Sequence, residues 1–131
     1  MRRLCVCVAM LAAAAVLSFA DGPVADIDAY RDPDALARLI ASGEPPHVLV
    51  DVRTPEEFAD GHIPTAVNIP VSEIGEHPPT GDKGALIIVY CASGGRSARS
   101  KARLESLGYT RVVDFGGIFR WTGETVTAGT E

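Results

Sequence analysis

An α/β fold, with a central parallel sheet of about five strands and helices on both faces, is what this 131-residue sequence predicts. Three observations carry the prediction. Short, wholly apolar runs occur at Val48–Val50 and Ala85–Val89, the lengths of buried strands rather than helices. Helix-start signals, Asp32-Pro33-Asp34 and Thr54-Pro55-Glu56-Glu57, alternate with those runs. A small-residue loop, Ala92-Ser93-Gly94-Gly95, then joins the second run to a helical stretch. Strands that alternate with helices pair in parallel, because the helix carries the chain back across the sheet.

Taken in order, Asp32 caps a helix with Pro33 at its first position; Leu36, Leu39 and Ile40 form its apolar stripe and Gly43 ends it. Val48–Val50 is a short strand ending at Asp51. Thr54 to Glu57 is a capping box opening a short helix through Phe58. Ala66–Ile69 is a brief strand and Val71–Ile74 a single helical turn. Residues 77–82 form a loop by composition, and Ala85–Val89 is the central strand. A helix from Ser97 through Leu107 ends at Gly108. Val112–Phe115 is the last strand, followed by Gly116-Gly117 and a turn from Ile118 to Trp121.

Residues 1–20 read as a cleaved signal peptide. Met1-Arg2-Arg3 is a short basic start, Leu4 to Phe19 an apolar stretch, and Ser18-Phe19-Ala20 supplies the small residues a signal peptidase requires. The stretch is short for a bilayer-spanning helix, which takes about 20 residues, so export to the periplasm or beyond is expected; an uncleaved anchor is the alternative. Arg2-Arg3 alone does not establish the twin-arginine route. No cysteine follows a plausible cleavage point, which argues against a lipoprotein. Removing residues 1–20 leaves 111 of the 131: a linker over 21–25, one domain over 26–122 and a flexible, frayed tail over 123–131.

Cys5 and Cys7 go with the leader, so Cys91 becomes the only thiol. A lone thiol excludes an internal disulfide, CxxC redox chemistry and a cysteine zinc site. It is either reactive or a buried packing group. The mature charge, 10 basic against 17 acidic side chains, argues against nucleic acid as a partner. Residues 21–95 hold 4 basic and 13 acidic side chains, whereas residues 96–111 hold Arg96, Arg99, Lys101, Arg103 and Arg111 against Glu105 alone. Positive charge is concentrated just after Cys91.

In a parallel sheet, ligands bind beyond the carboxyl ends of the strands, and Cys91 falls at such an end. Loop N–H groups and those of the following helix start converge there, so Cys91 should ionise more readily than a free thiol and act as a nucleophile. Ala92, Ser93, Gly94 and Gly95 keep the cradle small and offer N–H donors to a substrate. Arg96 is the candidate for forked hydrogen bonds to an anionic substrate, the alternative being a solvated or loop-bracing arginine. Arg96 and Arg99 lie near a helix N-terminus, where cations are mildly unfavourable, which marks them as candidates for anion steering. A solvated basic face is equally compatible with Arg99, Lys101 and Arg103. Asp51 and Arg53 read as a buried pair bracing the loops rather than as catalysts, with Ser97 as further loop support. His62 reads as shaping the turn before Ile63, His47 and His77 as solvated loop residues, and Trp121 as a lid on the core.

Asp51-Val52-Arg53 with Glu57-Phe58, and the run Gly61-His62-Ile63-Pro64-Thr65-Ala66-Val67-Asn68-Ile69-Pro70, resemble the first signature of single-domain rhodaneses. Val89-Tyr90-Cys91-Ala92-Ser93-Gly94-Gly95-Arg96-Ser97 resembles that family's active-site loop. Leu107-Gly108-Tyr109, Val112 and Gly116-Gly117-Ile118 with Trp121 resemble its closing segment. One departure is Thr65, where the family usually has glycine. The resemblance implies a single rhodanese-like domain in which the Cys91 thiolate attacks the outer sulfur of thiosulfate or a similar donor. Sulfite leaves, and the Cys91 persulfide gives its sulfur to cyanide or a thiol.

The same resemblance implies no metal and no organic cofactor. Expected partners are a small anionic sulfur donor and a cyanide, thiol or protein acceptor, with the chain a monomer not held at the membrane after leader cleavage. A non-enzymatic persulfide carrier serving a partner protein would use the same cysteine and is the alternative. Phosphatases that share the fold place five residues between cysteine and arginine. Here four separate Cys91 from Arg96, a loop better fitted to sulfur than to a phosphoryl group.

Overall fold

The computed structural model describes residues 26–129. The expected leader and linker, residues 1–25, lie outside the described residues, as do residues 130 and 131. A 3₁₀ turn, Ile27–Arg31, leads into α1, Pro33–Ser42. The Asp32 carboxylate accepts the Ala35 N–H at 2.9 Å, and Gly43 ends the helix in the left-handed conformation that glycine adopts without strain. α2 covers Pro55–Asp60 and begins with the full capping box of Thr54 and Glu57. α3 covers Gly95–Ser106.

Four strands form the sheet: β1 (His47–Asp51), β2 (Val67–Asn68), β3 (Leu86–Cys91) and β4 (Val112–Gly117). Their order is β2-β1-β3-β4 and every pairing is parallel. The count is four among the described residues rather than about five. β1 begins at His47, which is therefore a half-buried strand residue and not a loop residue. Val71–Ile74 forms helical turns, with the Ile74 N–H donating to the Pro70 carbonyl at 3.1 Å.

Alternation along the strands divides the core in two. Leu49, Ile88, Tyr90, Val113 and Phe115 face α1, meeting Leu36 and Leu39. Val50, Ile87, Val89, Cys91 and Val112 face the other way, where Leu104 of α3 and Ile74 cover them. All six residues of β3 are buried, as a strand covered on both faces requires. Cys91 lies on the α3 side, at the carboxyl end of the most buried strand.

Two strand ends run further than the apolar pattern indicates. β3 continues through Tyr90 and Cys91, and β4 through Gly116 and Gly117. A register shift between Val89 and Tyr90 sets Gly116 opposite Tyr90 and Gly117 opposite Cys91. The segment after Trp121 also differs from the expected frayed tail. Val126 exchanges two backbone hydrogen bonds of 2.9 Å with His62, and the Ala128 N–H donates to the Ala59 carbonyl at 3.3 Å. These bonds hold the segment beside α2 despite its coil-like composition.

Candidate active site

The loop after β3 is built around one sulfur atom. Gly94 takes φ 108°, which turns the chain into α3 without a side-chain cap on the helix. The first N–H groups of α3 therefore lack the usual oxygen acceptor, and Cys91 Sγ stands in that place. It accepts the Gly94 N–H at 3.0 Å, and the Ser93 and Ser97 N–H groups support it as well. The Ser97 hydroxyl lies 3.5 Å from Sγ and donates to the Gly94 carbonyl at 3.0 Å; by rotation it can donate to a thiolate instead.

Burial raises the Cys91 ionisation, since only 1 % of the residue is exposed. The hydrogen bonds from Ser97, Gly94 and Ser93 outweigh that, and the thiol sits below its ordinary value. Cys91 packs within the α3-side core and at the same time collects N–H donors on its sulfur.

Gly117 explains how the loop is backed. A Cβ there would stand 2.7 Å from the Ala92 carbonyl oxygen, so β4 approaches the loop only because this residue has no side chain. Ala92 and Gly94 are half-buried while Ser93 and Gly95 are exposed, which leaves the small side of the loop toward solvent.

Asp51 and Arg53 are a buried pair, 0 % and 7 % exposed. Arg53 donates Nε to both Asp51 oxygens at 3.0 Å and Nη2 to Oδ2 at 2.7 Å. The same Nη2 reaches the Gly61 carbonyl at 2.7 Å, and Asn68 Nδ2 donates to the Asp51 and Arg53 carbonyls at 3.0 Å each. Tyr90, beside this pair, accepts the Ile63 N–H at 3.0 Å on its hydroxyl. Burial and the neighbouring Asp51 carboxylate hold Tyr90 far above the ordinary tyrosine range, so it stays neutral. These groups brace the chain from 51 to 70 around the strand end that carries Cys91. His62 belongs to the same frame: its ring stacks on Phe58 at 3.6 Å and its Nδ1 lies 2.8 Å from the Phe58 carbonyl.

Arg96 is not a free fork. Its Nη1 and Nη2 donate to Glu57 Oε1 and Oε2 at 2.8 and 3.0 Å. This ion pair ties the start of α3 to the start of α2. Glu57 escaped the sequence as a site residue because it lies 39 positions away and already has a local role as a cap. Arg99 lines a separate cavity of about 450 Å³ with Val71, Ser72, Gly75, Glu76 and Arg103, and Cys91 is not part of that lining. Among the described residues, no cluster of three or more His, Cys, Asp or Glu side chains is arranged to hold a metal ion.

A parallel α/β sheet that sets a cysteine at the carboxyl end of its central strand, with loop N–H groups turned to the sulfur, is the class of domain this fold defines. Residues 32–124 match the rhodanese-like domain. The chain is 39 % identical to thiosulfate sulfurtransferase PspE of Escherichia coli (strain K12) over 71 residues, covering 53 % of this chain and 68 % of that one. It is 38 % identical to a sulfurtransferase of Allochromatium vinosum over 91 residues, covering 69 % and 84 %. Among solved structures, a rhodanese with anions from E. coli superimposes with a TM-score of 0.59 at 33 % identity, covering 63 % of this chain and 99 % of that one. The chain belongs to the rhodanese-like domain family and is a sulfurtransferase.

Proposed function

We propose that the protein moves a sulfane sulfur from thiosulfate, or a similar anionic donor, to a thiophilic acceptor through a persulfide on Cys91. The observation that carries this reading is the Gly94 N–H donated to Cys91 Sγ at 3.0 Å, in a loop whose N–H groups favour the thiolate. The thiolate attacks the outer sulfur of thiosulfate, the S–S bond of the donor breaks, and sulfite leaves with the bonding electrons. The loop N–H groups then face the terminal sulfur of the persulfide, which carries the negative charge. Cyanide or a thiolate attacks that sulfur, and the Cys91 thiolate is restored. An enclosed nucleophile suits a donor that presents one protruding sulfur atom. The basic start and apolar stretch of residues 1–20 support action outside the cytoplasm.

Intact mass of the protein without residues 1–20, before and after thiosulfate, tests the reading. A cyanide-labile gain of one sulfur atom is expected, absent in Cys91→Ser. No gain on folded, reduced protein would overturn it.

A further inference from the structure

A guanidinium beside the nucleophile is the natural anchor for a doubly charged donor, because its planar fork matches paired anionic oxygens. Here the fork is already engaged. Arg96 Nη1 donates to Glu57 Oε1 at 2.8 Å and Nη2 to Oε2 at 3.0 Å. Glu57 is itself held from the far side, since Oε1 accepts the Thr54 N–H at 3.3 Å within the capping box of α2. The carboxylate thus has a fixed position and keeps its charge throughout the neutral range, with its ionisation lowered to about 2 by Arg96. Arg96 stands in the chain between Gly94, whose N–H reaches Cys91 Sγ at 3.0 Å, and Ser97, whose hydroxyl lies 3.5 Å from it, so the pair borders the nucleophile.

The pair sums to zero charge, where a free Arg96 would give one positive charge. What remains for a donor is the row of loop N–H groups, whose partial charges attract an anion without demanding a second charge.

We propose that Glu57 sets the charge preference of the sulfur donor: by clamping Arg96 it shifts selectivity away from dianionic donors such as thiosulfate and toward monoanionic ones such as thiosulfonates. This rests on the sulfur-transfer reading above. Glu57 acts through Arg96 and is a positioning residue.

The test compares two donors of similar shape and different charge, thiosulfate and methanethiosulfonate, by steady-state kinetics with cyanide as acceptor. Glu57→Gln should raise kcat/KM for thiosulfate roughly tenfold, through KM, with a smaller gain for methanethiosulfonate. Glutamine at the third helical position retains the capping hydrogen bonds, which protects the fold of the variant. Glu57→Asp, which keeps the charge, should hold the donor ratio near that of the wild type. An unchanged donor ratio in Glu57→Gln overturns the proposal while leaving sulfur transfer intact. Failure of the wild type to take sulfur from either donor would instead overturn the sulfur-transfer reading, and this proposal with it.

Discussion

The Ser97 hydroxyl stands between Cys91 Sγ, at 3.5 Å, and the Gly94 carbonyl, at 3.0 Å. One rotatable O–H therefore serves two partners, and it turns to sulfur when the thiol loses its proton. Ser97→Ala removes that donor and leaves the backbone N–H groups in place. The Cys91 ionisation should move upward, so the acid limb of kcat/KM shifts to higher pH. Below that limb the rate should fall by roughly tenfold, the value of one hydrogen bond to a charged group. Above it the rate should approach that of the wild type. A pH–rate profile of both proteins checks this, and coincident acid limbs would remove Ser97 from the support of the thiolate.

Glu57 couples the Arg96 pair to acid stability. Hydrogen bonds from Arg96 lower its ionisation from the ordinary 4.5 to about 2 in the folded protein. A carboxyl depressed by folding stabilises fully above its unfolded value and progressively less as pH falls toward the folded one. The window is thus about pH 4.5 down to about 2. With 35 % of the Glu57 side chain exposed, screening limits the contribution to about 1 kcal/mol or less. Glu57→Gln should be slightly less stable than wild type at pH 7, with the gap closing by pH 2. Denaturant melts at pH 7, 4 and 2.5 measure it; a constant gap would mean the charge is not what matters.

Asp51 and Arg53 behave differently because both are buried. Asp51→Asn keeps the shape but leaves the Arg53 guanidinium buried beside a neutral amide. Removing one partner of a buried pair costs roughly 3–5 kcal/mol, a large share of the stability of a small domain. Urea unfolding should show a loss of at least about 3 kcal/mol, with the chain from 51 to 70 losing amide protection first. A loss below about 1 kcal/mol would show that the pair contributes little beyond its packing.

What was legible in the sequence follows the reach of each interaction. The Asp32 and Thr54 caps are written within four residues, and both helices start where those residues indicate. Cys91 at a strand end was visible because an apolar run stops at a small-residue loop. The far end of β4 was not: the apolar run stops at Phe115, and glycine within the strand is explained by the φ of 93° at Gly116 and by the approach of Phe119 and the Ala92 carbonyl to Gly117. Arg96 with Glu57 and His62 with Val126 are pairings across 39 and 64 positions. Neither partner carries a local signal for the other, so only the folded chain brings them together. Thr65 lies between these cases, visible in the sequence as a departure and explained by its backbone.

Thr65 has φ 72°, and among the described residues it is the non-glycine position with positive φ. The Ala66 N–H donates to the Ile63 carbonyl at 3.1 Å, which closes a four-residue turn with Pro64 and Thr65 at its centre. Proline at the first central position fixes negative φ there, so the turn is of the kind that asks for glycine at the second. A β-branched residue in that region is strained by about 1–3 kcal/mol. Thr65 is exposed, so its side chain contributes little packing to offset the strain. Thr65→Gly relieves the strain, partly balanced by the greater freedom glycine gains in the unfolded chain. The net expectation is about 1 kcal/mol of added stability, a rise in Tm of about 4–8 °C for a domain of this size. Thr65→Ala, which still carries a Cβ, should gain clearly less. Thermal melts of the three proteins decide it: equal Tm for glycine and threonine would show that this turn holds no strain, and a gain with alanine as large as with glycine would assign it to the branched side chain instead of the backbone.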